Sequence, residues 1–381
     1  MKLEEHVQAT LREAGLPGVV CAAAGPRGLV DVTALGQVEF GSTDAMTLDT
    51  SFWIASITKL ATAVAVLQMV ELKRFGLEDE VANYLPFFED VKVLASSGPG
   101  LIPARARVKV HHLLTHTAGF GYEAWSRSLA DYVTHQGLPA ARTGLRSSLE
   151  RPLLFQPGAL WNYGIGMDWA GLLVEHIGRC SLSEYLWSHV FEPLGMRSTG
   201  FVPAPTANRA VGHTRQTDGV LAKSPMDPNP HRDFDSGGAG LYSTPRDVLR
   251  LLQSLLRANQ GSEAEVLHPE TVAQARCNQI DLLGVRDLPS CLPERCMDLA
   301  LFPGRKKKWS YFGLLHQEAE PGGRSAGSVS WAGVANTFFW IDFDMSIAAV
   351  VFAQSLPFLD SKVLSLVECY EQRLYAGLTG C

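Results

Sequence analysis

The stretch Phe52-Trp53-Ile54-Ala55-Ser56-Ile57-Thr58-Lys59-Leu60-Ala61-Thr62-Ala63-Val64-Ala65-Val66-Leu67 passes from a short apolar run into a long one, with a serine and a lysine at the junction. The second run reads as a helix, and Ser56 stands at its start. Positions i and i+3 share one helix face, so the Ser56 hydroxyl and the Lys59 ammonium meet without help from the rest of the chain. A free serine hydroxyl is a weak nucleophile until a neighbouring base or cation activates it. The first turn of a helix adds unpaired backbone N–H groups and positive dipole, both suited to a developing oxyanion. An isolated S-x-x-K arises by accident about once in a chain of this length, and is then an N-cap serine with a solvated lysine. Its weight rests on what surrounds it.

Outward from this junction, the helix is expected to run to about Arg74. Upstream, Met1 to Gly15 has the apolar spacing of an amphipathic helix, and Gly15-Leu16-Pro17-Gly18 ends it. Val19 to Ala24 reads as a buried strand, Gly25-Pro26-Arg27-Gly28 as a turn, and Leu29 to Phe40 as the antiparallel partner. From Val108 to Leu256 the pattern is mostly helical, with one helix opening at Thr244-Pro245. The tail turns apolar and β-branched at Tyr311–Leu315, Ser328–Ala332, Thr337–Ile341 and Ile347–Phe352, then closes with an amphipathic helix from Ser361 to Leu378. Two strands at the front and more at the back predict an α/β (α+β) fold: an antiparallel sheet flanked by terminal helices, with an all-α insertion. The expected division is residues 1–85 with 235–381 as one discontinuous domain, 86–234 as the helical insertion, and the active site in the cleft between them.

The chain has 381 residues, 46% of them hydrophobic, and a net charge of −6 with both signs interspersed. Such a surface offers no basic stripe for a phosphate backbone, so nucleic acid is not an expected partner. The basic run Arg305-Lys306-Lys307-Lys308 reads as a solvated turn before a strand. No secretion signal and no apolar stretch of membrane-spanning length stands out, and the seven cysteines form an odd set without a C-x-x-C pair. A cytoplasmic protein with reduced thiols and no membrane partner is expected.

Tyr163 follows a turn at Gln156-Pro157-Gly158 and leads into an apolar helix beginning near Trp169. A phenol near a lysine ammonium ionises more easily, and can then take the serine proton and later hand it to a leaving group. His112 and His116 have metal-ligand spacing, but no third ligand accompanies them, and they read as structural. Gly237-Gly238-Ala239-Gly240 lacks the strand and spacing of a phosphate cradle and reads as tight backbone near the site.

Ser56-x-x-Lys59, Leu113-Leu114-Thr115-His116-Thr117-Ala118-Gly119, Gln156-Pro157-Gly158 with Tyr163, Phe191-Glu192-Pro193-Leu194-Gly195-Met196 and Gly237 to Thr244 follow one another in an order that resembles the class C β-lactamase-like serine hydrolases. The likeness covers nearly the whole chain. It implies an acyl-Ser56 intermediate with Lys59 and Tyr163 as the acid/base pair. Antibiotic-hydrolysing members carry an asparagine two residues after the tyrosine, where this chain has Ile165, and Lys-Thr-Gly on a late strand, where it has Trp331-Ala332-Gly333. Losing that lysine removes a charge-assisted contact worth about 1.5–3 kcal/mol, which argues against β-lactam hydrolysis. The tryptophan-glycine strand is similar to the esterase branch, and Tyr163-Gly164-x-Gly166-x-Asp168-Trp169-Ala170-Gly171 resembles fungal acyltransferases of polyketide biosynthesis.

The resemblance implies an oxyanion hole from the backbone N–H of Ser56 and of Val334. It also implies a substrate cleft involving Trp331, Ala332, Gly333 and Ile165, and Trp53, Tyr122 and Trp309 are expected to line it. The expected reaction passes an acyl group from an ester or thioester to a hydroxylated small molecule or to water, with no cofactor and no metal. An acyl carrier protein or a coenzyme A thioester is a candidate donor. The alternatives are a plain carboxylesterase or thioesterase, a β-lactamase or D-Ala peptidase, and an inactive binding homologue.

Overall fold

The structure is a computed structural model and describes residues 3–95, 100–203, 208–226, 231–262 and 265–379. Seven antiparallel strands form the central sheet in the order Gly28–Gly36, Gly18–Gly25, Ile347–Phe352, Thr337–Asp342, Val329–Gly333, Gly313–His316 and Lys307–Ser310. Front and tail of the chain meet where Val20 pairs with Phe352 and Ala24 with Ala348. Both of these strands are apolar at nearly every position because layers cover both their faces. The helix Pro245–Asn259 packs on this pair, and its start matches the sequence: Pro245 lies in the first turn and the Thr244 hydroxyl accepts from the Asp247 N–H. The terminal helices Leu3–Ala14 and Ser361–Thr379 pack on each other.

Several boundaries differ from expectation. The second strand stops at Gly36 rather than Phe40, because Gly36 has φ +78° and a side chain there would lie 2.2 Å from the Pro17 carbonyl oxygen. The expected strand Tyr311–Leu315 is a hairpin, Lys307–Ser310 with Gly313–His316, and Tyr311 and Phe312 form its turn. Half of the basic run is therefore strand rather than solvated turn. Lys307 Nζ donates to Asp287 at 2.6 Å and to the Leu301 carbonyl at 2.8 Å, which ties the strand to the preceding loop.

The middle segment is mostly helical, but it is not all-α. Lys92–Leu94 pairs with Leu101–Pro103, and His213–Arg215 pairs with Leu221–Lys223 and in parallel with Ser355–Leu356. That last pairing crosses the expected boundary at 235. The sequence hides such strands because a three-residue strand shows no periodicity.

The helix Thr58–Glu71 is buried on every side from Thr58 to Leu67, so it runs through the core and packs on the helix Gly166–Gly178. No helix among the described residues is long and apolar enough to cross a membrane.

Far from this helix, Arg324 is held by Glu371 in a two-pronged ion pair at 2.7 and 2.5 Å, with the guanidinium 4.6 Å from the Trp340 ring centre. Both residues are buried. Glu371→Gln strands the guanidinium in the core and is expected to lower unfolding stability by about 3–5 kcal/mol, read from denaturant midpoints. A loss below about 1 kcal/mol, the range of an exposed pair, would contradict this account.

Candidate active site

The chain reaches the site through Phe52–Trp53, a short strand paired with Tyr242–Ser243. Ala55 then takes φ +44°, a left-handed conformation that costs a residue with a Cβ about 1–2 kcal/mol. The turn places Ser56 in a single 3-10 turn, Ala55–Ile57, and the regular helix starts at Thr58 instead of Ser56. Ile57 N–H makes the first backbone bond, to the Ile54 carbonyl at 3.1 Å. The Ser56 N–H precedes it and has no acceptor within the helix.

Lys59 lies where the i+3 spacing put it, and its Nζ donates to Ser56 Oγ at 3.0 Å. The same ammonium donates to Tyr122 Oη at 3.2 Å and to the Gly238 carbonyl at 2.7 Å. All three of its protons are engaged, so in this arrangement Lys59 holds the serine oxygen as a donor and has no lone pair for its proton. The Tyr163 ring centre lies 4.8 Å from the same nitrogen, within the cation–π range.

Tyr163 is buried just before the helix Gly166–Gly178, and its hydroxyl accepts from the Trp331 indole N–H at 3.1 Å. The tryptophan that replaces a lysine on this strand thus binds the phenol oxygen. Tyr122 differs in environment. Burial, then the nearby Asp168 and Tyr163, push its phenol well above the usual range, which keeps it a neutral acceptor for Lys59.

The strand Val329–Gly333 approaches the Ser56 turn closely. A side chain at Gly333 would lie 2.3 Å from the Ile54 carbonyl oxygen, so glycine is required for the approach. Val334, the next residue, is half-buried and packs with Trp53 around Met226, Ala335 and Leu356. Ala332 is buried beside Trp331.

The other expected lining residues divide into two groups. Trp53 is half-buried and donates its indole N–H to the Ala239 carbonyl at 2.7 Å. Trp309 and Ile165 are interior: Trp309 bonds the Leu114 carbonyl at 3.1 Å and stacks edge-on against Trp331, and Ile165 is 0% exposed at the start of its helix. Trp309 still lines a small cavity beside Ser56 and Lys59, whereas Ile165 is not among the residues that line it.

His116 terminates the helix Val110–Thr115 in a left-handed conformation, φ +57°, and its ring meets that of Tyr163 edge-on at 4.8 Å. Burial, reinforced by Lys59, holds it neutral. Beside it a cavity of about 10 Å³ is lined by Ser56, Lys59, His116, Met167 and Trp331. His112 serves the same short helix, accepting the Lys109 N–H at 3.1 Å.

A second serine, Ser330, bonds His316 Nε2 at 2.8 Å, and His316 Nδ1 lies 3.7 Å from Glu320. Ser330 alternates with Trp331 along its strand and so faces the other side of the sheet. Ser330 and His316 are both buried there, away from the Ser56 side.

Sequence reasoning read Gly237 to Gly240 as tight backbone near the site and quoted Asp168 only within a motif; it missed Ser236 and the contacts themselves, which span 179 positions from Lys59 to Gly238 and 68 from Asp168 to Ser236. The paired glycines were the available signal. It also placed Tyr122 in the substrate wall without its bond to Lys59.

Known proteins resemble this chain in both sequence and fold. The chain is 33% identical to the esterase EstB of Burkholderia gladioli over 301 residues, covering 72% of this chain and 73% of the relative. It is 29% identical to the acyltransferase calJ of Penicillium decumbens over 350 residues, covering 85% and 80%. Among solved structures, unliganded simvastatin synthase (LovD) from Aspergillus terreus superposes with a TM-score of 0.85 at 26% identity, covering 98% and 97%. The sequence profile of the Beta-lactamase family matches residues 3–365, and the chain belongs to that family.

Proposed function

We propose that the protein is a serine acyltransferase that carries its acyl group on Ser56 and delivers it to the hydroxyl of a small metabolite or to water. The contact between Lys59 Nζ and Ser56 Oγ at 3.0 Å carries this reading. Ser56 Oγ adds to the carbonyl carbon of an ester or thioester while its proton passes to Tyr163, which acts as the phenolate beside the Lys59 ammonium and becomes the neutral phenol. The C–O or C–S bond then breaks, and the departing alcohol or thiol takes that proton. The acceptor hydroxyl repeats the sequence in reverse, giving its proton to Tyr163 and releasing the product ester. Lys59 steadies both oxygens with its charge. The Ser56 and Val334 N–H groups are the oxyanion donors; losing one such donor costs roughly 3 kcal/mol in the transition state.

Likeness over nearly the whole chain to a simvastatin synthase favours a hydroxylated polyketide-type acceptor, as in fungal secondary metabolism. Likeness to an esterase keeps water as the second acceptor. For the donor, a coenzyme A or acyl-carrier thioester suits the aromatic wall. The described cysteines are free thiols, which fits a reducing cytoplasm.

The test is intact-protein mass spectrometry after mixing with a short acyl-coenzyme A and, separately, a p-nitrophenyl ester. A gain of one acyl group is expected with at least one donor. No adduct and no turnover with either would refute the reading.

A further inference from the structure

Lys59 is an ammonium at 6% exposure whose three direct acceptors, Ser56 Oγ, Tyr122 Oη and the Gly238 carbonyl, are all neutral. A buried cation without a compensating anion is costly, so the balancing charge has to be close. The carboxylate nearest along the bonded network is Asp168, buried in the first turn of the helix Gly166–Gly178, where the helix dipole favours an anion.

A continuous chain of hydrogen bonds joins the two charges. Lys59 Nζ donates to the Gly238 carbonyl at 2.7 Å, and the N–H of the same peptide unit, that of Ala239, donates to Ser236 Oγ at 3.0 Å. The Ser236 hydroxyl donates to Asp168 Oδ1 at 2.6 Å. Every donor in this chain points from the ammonium toward the carboxylate, so each bond polarises the next in the same sense. A direct strut closes the loop, because the Gly238 N–H also donates to Asp168 Oδ1, at 3.0 Å. Gly238 must be glycine for this: a side chain there would lie 2.6 Å from Asp168 Oδ2. Gly237, whose carbonyl accepts from Thr62 at 2.8 Å, pins the same loop to the Lys59 helix.

We infer that Asp168 is a positioning residue for acyl transfer, holding Lys59 against Ser56 through Ser236 and the Gly238–Ala239 peptide and supplying the charge that balances the ammonium. This rests on the proposed acyl-Ser56 reading. Burial raises the Asp168 carboxyl and Lys59 is the largest influence opposing it, as a linked pair requires. Lys59, Tyr122 and Arg151 are the charged or titratable groups that face Asp168, and Arg151 is itself paired with Glu123 at 2.9 Å. Lys59 is faced by Ser56, Tyr122, Tyr163, His116 and Asp168.

The experiment compares wild type, Asp168→Asn and Ser236→Ala in p-nitrophenyl ester turnover across pH. Asp168→Asn keeps the shape and removes the charge. It is expected to lower kcat roughly 10- to 100-fold with KM nearly unchanged, the cost of a charge-assisted contact. Removing the buried anion from the site should also move the alkaline limb of the kcat profile to lower pH. Ser236→Ala breaks the chain but keeps the carboxylate and the direct strut, so it should fall by less, about 3- to 10-fold, with a smaller displacement of the limb.

A folded Asp168→Asn with wild-type kcat and profile overturns the inference, as does a fall in kcat with an unmoved alkaline limb. Should Asp168→Asn fail to fold, Ser236→Ala decides: unchanged kcat and profile overturn it. Wild-type acylation measured by mass separates failure of this inference from failure of the acyl-Ser56 reading.

Discussion

Ser56→Ala is expected to fold normally and to lose acyl-enzyme formation altogether. The serine side chain is half-buried in a turn whose shape is set by the backbone of Ala55 and by the bond from Ile57 to Ile54, so alanine removes only the oxygen. Ester turnover should fall by at least about four orders of magnitude, since the remaining groups act on a nucleophile that is no longer there. Intact mass after incubation with acyl-coenzyme A should show no adduct, and the thermal midpoint should stay near that of wild type. A variant that still acquired an acyl group, or still turned over, would place the nucleophile elsewhere.

Tyr163→Phe is the second large effect. The variant keeps the ring that packs against Lys59, Trp331 and His116, and loses the oxygen that accepts from Trp331. Losing a general base typically costs two to four orders of magnitude, and acylation should slow by roughly that much, while the unpaired Trp331 indole N–H lowers stability by about 1–3 kcal/mol without unfolding the protein. Tyr122 is the informative contrast because it bonds Lys59 directly at 3.2 Å. Burial keeps its phenol neutral, so Tyr122→Phe removes one neutral acceptor from the ammonium and should cost only about tenfold. If single-turnover acylation rates came out in the opposite order, Tyr122 rather than Tyr163 would be the proton acceptor.

Local features of the site were legible where one element carries them. Ser56 and Lys59 lie three positions apart, and helical geometry alone brings a hydroxyl and an ammonium together at that spacing. The Pro245 helix start, the paired front strands and the tail hairpins were readable for the same reason: turn residues and apolar period act over a few neighbours. Boundaries were less so. Gly36 ends its strand because of the Pro17 carbonyl across the sheet, and Tyr311 and Phe312 lie in a turn although their composition suits a strand. In both places a contact outside the local window decided the outcome.

By itself the sequence determined the nucleophile's neighbourhood, the antiparallel sheet built from both ends of the chain and, through its ordered motifs, the family. Only the tertiary structure decided that the Trp331 indole grips Tyr163, that Tyr122 shares Lys59 with Ser56, and that Asp168 balances the ammonium through Ser236 and Gly238. The physical reason is range. Helix and strand periods fix which side chains of one segment share a face, whereas the charge balance of a buried lysine depends on which distant groups the packed core leaves within hydrogen-bond reach.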